Sequence, residues 1–421
     1  MKKKKNNTQG MKHQELWKTP LYLIFALTVG MFIAVFIGFM IIMSIFELDL
    51  PQFTQTDDAR NIDDYRHLLS ELYADDLLSE YEVTGIDYMA NGGLLELPVN
   101  GATGWAAHRT PLRSEPRRGE NILLNLDPAH GFIIIEEYGD WWYVQLGLNE
   151  NLSGWVEHRS CFINLPDVIP SVIYNITNST ASIKRSRGVN IPNVTGLSLY
   201  NAYEFNYRLN RYSFIVPASY ITARRLAEVQ QSALADGNTI VVYEAFRPLS
   251  TQRVVSNNLR DLINVNETVR ETINTPPWHI GWFIASGVSS HQRGSALDVS
   301  LRRIAEYEIR AAGDFIYKEV IGGSEHFMPS AIHELSPEAV VFSRPVNVGP
   351  NTPTDGLPFA DTFTSGAMIL QNYFLNAGFT PLASEWWHFD DPVANSVAAS
   401  LGINGDFFID TVYSRIPIIN G

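Results

Sequence analysis

The sequence predicts an α+β domain, built as an antiparallel sheet with flanking helices, preceded by a transmembrane helix and a small all-β barrel. Three observations carry that expectation: a long charge-free run near the N-terminus, a change to period-two patterning from about Gly92, and a final stretch in which strand and helix patterns mix. The chain has 421 residues, 45% of them hydrophobic and 12% aromatic, enough for two or three packed cores. A formal net charge of −14 argues against nucleic acid as a partner, because tracking phosphates needs a basic surface.

The charge is unevenly placed. Residues 1–20 form a basic tail holding Lys2, Lys3, Lys4, Lys5, Lys12 and Lys18 against Glu15 alone. Leu21 to Phe46 then runs without a charged side chain. As a helix it would span roughly 39 Å at 1.5 Å per residue, enough to cross a bilayer with some tilt. The flanking lysines put the N-terminus in the cytoplasm and everything after Glu47 outside, so the expected location is the cell membrane with an extracytoplasmic body. A cleaved signal peptide is the rival reading, but its apolar region is usually shorter and Ser44-Ile45-Phe46-Glu47 is a poor cleavage site. Cys161 is the sole cysteine, which excludes an intrachain disulfide.

Residues 47–90 are expected to form an acidic stalk with one amphipathic helix, from the spacing of Ile62, Tyr65, Leu68, Leu69, Leu72, Leu77 and Leu78. Over 91–165, short β-rich runs alternate with Gly, Pro, Asn and Asp: Ile122 to Leu126, Phe132 to Glu136, Trp142 to Leu146, Gly154 to Val156. Leu112-Arg113-Ser114-Glu115-Pro116, then Gly139-Asp140-Trp141-Trp142-Tyr143-Val144, then Gly154-Trp155-Val156 resembles a bacterial SH3-like domain. That resemblance implies a module that binds peptidoglycan; the bland alternative is that the tryptophans fill a small core. Neighbours on a strand face opposite sides, so one of Trp141 and Trp142 points inward.

Residues 166–421 form the last expected domain. Its opening stretch, to about residue 190, is rich in Pro, Ser, Thr and Asn and reads as a linker or entry segment. After it the patterns predict a helix over Ile221 to Ala235, a buried strand over Thr239 to Tyr243, a second strand over Ala296 to Leu301 and a helix over Ala367 to Ala377.

Three separate segments of this domain hold the residue types of a catalytic zinc site. A catalytic zinc takes three protein ligands and keeps a fourth position for water, and His291, Asp298 and His388 would supply them. Glu385 is placed to act as general base and Arg247 to stabilise an oxyanion. The spacings constrain the backbone. His291 and Asp298 are seven apart and would face opposite sides of one strand, so His291 is expected in a loop, with Gly294 allowing the turn. Glu385 and His388, three apart, require a bulge or a helical turn. The other eight histidines, His279, His326 and His333 among them, read as ordinary packed or surface residues.

Taken in order, Glu244-Ala245-Phe246-Arg247-Pro248, Ser289-Ser290-His291-Gln292-Arg293-Gly294-Ser295-Ala296-Leu297-Asp298 and Ser384-Glu385-Trp386-Trp387-His388-Phe389 resemble the zinc D-alanyl-D-alanine dipeptidases and related D,D-carboxypeptidases. The resemblance covers about residues 195–395. It implies one zinc ion on His291, Asp298 and His388, Glu385 as base, Arg247 on the tetrahedral intermediate, and Ser289 helping to bind the substrate carboxylate. One departure bears on substrate. Strict dipeptidases carry a Phe-Asp pair that holds the dipeptide's ammonium, whereas this chain reads Met328-Pro329-Ser330-Ala331-Ile332-His333-Glu334, with Glu334 the available substitute and an added segment, Val340 to Pro358, beside it.

Three functions follow as alternatives: a zinc peptidase cutting D-Ala-D-Ala as free dipeptide or at the end of a wall stem peptide, an endopeptidase with the same zinc site, and a non-catalytic wall-binding protein. Retention of the ligands, base and arginine together weighs against the last.

Overall fold

The computed structural model describes residues 83–147, 152–175, 182–349, 354 and 356–417. The expected anchor, Leu21 to Phe46, and most of the expected stalk lie outside these residues. Among the described residues no helix is long and apolar enough to cross a membrane.

Two sheets organise the described chain. The first is antiparallel throughout. It uses β1 (Thr103–Ala106), β2 (Thr110–Arg113), β3 (Ile122–Leu126), β4 (Gly131–Tyr138), β5 (Trp141–Leu146), β6 (Ser153–Glu157) and β7 (Cys161–Asn164). The four strands expected in this region appear, each within two residues of its expected ends. Trp142 is fully buried, stacked edge-on against Tyr220 at 5.0 Å, while Trp141 is half-buried, as alternation on a strand requires. The sheet does not stop at residue 165. Its outer strand, β13 (Pro217–Ser219), pairs with β7 through Pro217 opposite Asn164.

Between β7 and β13 lie β8 (Ile173–Tyr174), the short ladder of β9 (Arg185–Ser186) with β10 (Val189–Asn190), and the hairpin of β11 (Tyr203–Asn206) with β12 (Arg211–Phe214). A buried carboxylate ties this stretch to the first sheet: Asp167 accepts from Thr103 N at 2.8 Å, Asn206 Nδ2 at 2.6 Å and Ser414 Oγ at 2.6 Å. Paired this way, a buried charge is tolerated rather than costly.

The second sheet runs in the order β17, β18, β15, β14, β8, with β16 added beside β15. Its strands are β14 (Asn238–Glu244), β15 (Ala296–Ala312), β16 (Phe315–Glu325), β17 (Thr380–Leu382) and β18 (Glu385–Asp390). All pairings but β14 with β8 are antiparallel. β14 and the start of β15 are almost wholly buried, which explains their continuous apolar runs. Beyond Leu301, β15 leaves the core and continues with β16 as a two-stranded arm, a feature that the strand expected over Ala296 to Leu301 did not include.

Helices cover this sheet. α1 (Tyr220–Ala235) matches the expected helix and is capped by Ser219, whose Oγ accepts from Thr222 N at 3.1 Å. Its buried residues Tyr220, Ala223, Leu226, Ala227 and Gln230 follow helical spacing. α2 (Leu249–Val265) and α3 (Glu267–Ile273) follow β14, and α4 (Ser365–Asn376) falls on the other expected helix. α5 (Pro392–Ser400) starts from Asp391, which caps it through Val393 N and Ala394 N at 3.0 Å and pairs with Arg225 of α1 at 2.7 Å. One buried apolar cluster includes Trp142 and Ile163 of the first sheet, Leu226 of α1, and Val242 and Trp387 of the second.

Candidate metal centre

The site forms where β14, β15 and β18 lie side by side. Asp298 is opposite Glu244 on one neighbour and opposite His388 on the other. His291 arrives from a short 3-10 turn, His291–Arg293, ended by Gly294 at φ +62°, so the expected loop and glycine turn are both present. The Glu385 to His388 spacing is resolved by an irregularity in the β17–β18 ladder: Pro381 faces Phe389, but the next residue, Leu382, faces Glu385. Residues 386–388 bow out of register, and both Glu385 and His388 line one cleft.

Three donor atoms converge. His291 Nε2 is 3.2 Å from His388 Nδ1 and 3.3 Å from Asp298 Oδ1, and His388 Nδ1 is 3.0 Å from that same oxygen. Each imidazole is oriented from behind. His291 Nδ1 lies 2.7 Å from the carbonyl of Ala245 and His388 Nε2 lies 3.0 Å from Asp390 Oδ1; both partners only accept, so the outer nitrogens carry the protons and the inner ones present lone pairs.

Three buried lone-pair donors at these separations repel unless a cation sits among them. Tetrahedral zinc with ligands at about 2.0 Å would hold them about 3.3 Å apart, so the donor set fits that ion in number, chemistry and spacing.

A second carboxylate cluster adjoins the first. Glu244, Asp298 and His333 also come together, all three buried. Arg247 already supplies a cation there: its Nε donates to Glu244 Oε2 at 2.9 Å, and its Nη2 donates to the same oxygen and to Asp298 Oδ2 at 3.3 Å. Nη1 donates to Gln252 at 2.7 Å. Of five guanidinium N–H groups, one on Nη1 is uncommitted. Burial would raise Glu244, but Arg247 beside it brings the carboxyl below its ordinary value.

Glu385 lines the cleft near the donor triad, and burial pushes its carboxyl up to about 7 against the pull of Lys184 and His388. A carboxylate poised near neutrality is suited to proton transfer. Ser289 also lines the cleft; its N–H and its hydroxyl both donate to Gln292 Oε1, at 2.7 and 2.8 Å. The cleft, about 180 Å³, is walled further by Trp282, Phe283 and Ile284.

Residues 215–401 match the family model described as D-ala-D-ala dipeptidase. No curated protein matches the chain. The match supports a zinc metallopeptidase of this family acting on D-Ala-D-Ala-type substrates, and the His and Asp groupings agree with the family's zinc dependence. It spans Arg247, His291, Asp298, Glu385 and His388 but neither the first seven strands nor Lys184.

Two residues of the site went unread in the sequence. His333, taken for an ordinary histidine, is fully buried with Nε2 3.0 Å from Asp298 Oδ2. Lys184, in the stretch that read as a linker, is buried and lines the cleft. Neither carries a motif; only folding brings them to the site. Glu334, the expected substitute for an ammonium-binding carboxylate, accepts from Gly188 N at 2.9 Å and is not among the residues lining the cleft. Nor are any of the described residues of Val340 to Pro358, of which Val340, Val341 and Phe342 are buried in the core.

Proposed function

We propose that the chain is an extracytoplasmic, membrane-anchored D,D-peptidase that removes the terminal D-alanine from peptidoglycan stem peptides. The observation that carries the chemistry is the convergence of His291, His388 and Asp298 at 3.0 to 3.3 Å beside Glu385 in one cleft. Those three residues would hold zinc, which supplies Lewis acidity that makes water acidic near neutral pH and polarises a carbonyl.

The chain's own groups do the rest. Glu385 takes the proton of the attacking water and returns it to the leaving amine nitrogen as the peptide bond breaks. Arg247 holds Asp298 and Glu244 in place and keeps one N–H for the developing oxyanion. Gln292 fixes the loop that carries His291 by accepting from Ser289 and donating to the carbonyl of Arg247 at 3.0 Å.

The choice of a stem peptide over the free dipeptide rests on Glu334. With that carboxylate engaged by Gly188 and away from the cleft, no ammonium clamp of the dipeptidase kind is identified among the described residues, and a longer peptide is the better substrate. The membrane address is supported by the basic tail and the charge-free run Leu21 to Phe46, and contact with peptidoglycan by the SH3-like motif order over 91–165.

Zinc-loaded protein should release D-alanine from a pentapeptide stem faster than from D-Ala-D-Ala, and a chelator should abolish both. Release of internal fragments without D-alanine, read by mass spectrometry, would replace this reading with the endopeptidase.

A further inference from the structure

Lys184 is 1% exposed, yet it lines the cleft together with Arg247, Ser289, Glu385 and His388. Among the described residues its ammonium makes no hydrogen bond and no ion pair within 4.0 Å, although Asp298, Glu385 and Glu244 are near enough to act on it electrostatically. Of these, Glu385 feels the lysine's charge most among its charged neighbours but makes no ion pair with it within 4.0 Å and serves as the proton-transfer group, and the other acidic groups of the site are engaged elsewhere. Glu244 is paired with Arg247, Asp298 with Arg247 and the three histidines, and Asp390 with His388. A buried ammonium without a partner is costly, and it persists where a ligand supplies the missing anion.

The other donors facing the cleft are largely committed. The Ser289 hydroxyl gives its proton to Gln292, and Arg247 has one N–H left. A peptide bound with its last residue in the cleft brings one anion of its own, the C-terminal carboxylate. We propose that Lys184 is a specificity-determining residue that binds this carboxylate and so restricts the enzyme to the last peptide bond of its substrate. The inference rests on the D,D-peptidase reading and deepens it. Burial and the neighbouring Arg247 both lower the lysine's pKa, and an arriving carboxylate would offset that effect. Lys184 precedes the family-matched stretch, residues 215–401, so the recognition group comes from a part of the chain that the match does not cover.

The test compares wild-type chain with Lys184→Met and Lys184→Arg on two substrates, a D-Ala-D-Ala-terminated peptide and its C-terminal amide. Zinc content and thermal midpoint are measured for each protein. Wild type should prefer the acid by at least about tenfold in kcat/KM. Lys184→Met should lose about that factor on the acid through KM, with kcat little changed, and should cleave acid and amide alike; Lys184→Arg should recover part of the preference. The midpoint of Lys184→Met should stay level or rise, because a buried unpaired charge has been removed, whereas loss of a lysine kept for structure would lower it. An acid-over-amide preference that survives in Lys184→Met overturns the assignment, as does an equal loss of kcat on both substrates. If the wild type releases neither D-alanine from the acid nor D-alaninamide from the amide, the peptidase reading itself falls and this inference falls with it; an active wild type with an unchanged variant removes only the role of Lys184.

Discussion

His333 Nε2 lies 3.0 Å from Asp298 Oδ2, the oxygen of that carboxylate turned away from His291 and His388. Asp298 therefore contributes one oxygen to the donor triad and is held by His333 and Arg247 through the other. His333 is itself fixed: its ring meets Trp387 edge-on at 5.8 Å, its backbone sits at φ +60°, and burial, with Lys184 nearby, lowers its pKa to about 4, so it stays neutral and donates.

Replacing His333 should loosen Asp298 without removing a ligand. His333→Ala is expected to weaken zinc binding by about 10- to 100-fold, the usual effect of removing a group that orients a ligand. Competition with a chromophoric chelator measures it; unchanged affinity would show that Asp298 is held by Arg247 alone.

Glu385 should separate chemistry from metal binding. Glu385→Gln keeps shape and burial but cannot accept the water's proton, so kcat should fall by about 10²- to 10⁴-fold while zinc content stays at one per chain. Loss of zinc together with activity would assign Glu385 to holding the site rather than to proton transfer.

Gly294 connects the first sheet to the site. At φ +62°, an added Cβ would come 2.7 Å from the Phe162 ring of β7 and 3.1 Å from Ser219 N. Gly294→Ala is expected to cost about 1 to 3 kcal/mol and to displace the His291 turn, lowering both thermal midpoint and zinc content. A variant with a lowered midpoint and full zinc content would show that the turn yields without moving His291.

Glu96 sets a pH dependence of stability away from the site. It is buried, accepts from Ser171 N at 2.9 Å, and burial raises its carboxyl from 4.5 to about 7. The unfolded chain gives up this proton first, so between about pH 4.5 and 7 the folded state holds more protons and stability falls as pH rises. The contribution is on the order of 3 kcal/mol across that window. Urea denaturation at pH 5 and pH 8 should show it, with the difference reduced in Glu96→Gln; an equal difference in both proteins would assign the pH dependence elsewhere.

That His291, Asp298 and His388 come together near Glu385 and Arg247 was legible in the sequence because each sits in a short motif whose residue types are those a metal and a proton transfer would require. The helix over Ile221 to Ala235 and the strands over Thr239 to Tyr243 and Ala296 to Leu301 were legible because burial imposes a period on apolar residues. Periodicity fades once a strand leaves the main core, and so the arm of β15 and β16 went unread: β15 is largely exposed from Arg302 to Ala311, and only the tip, Ala312, Phe315 and Tyr317, is buried, against Leu97 and Leu209.

Local sequence determined which residues can ligate, where the chain must turn and that Glu385 and His388 need a break in register. Tertiary structure alone decided that the break is an irregularity against β17, that His333 stands behind Asp298, that Lys184 lines the cleft, and that Glu334 does not. The physical reason is distance along the chain. His333 is 35 residues from Asp298 and Lys184 is 63 residues before Arg247 (247 − 184), and contacts between such separated residues are set by sheet pairing and packing, which no local pattern records.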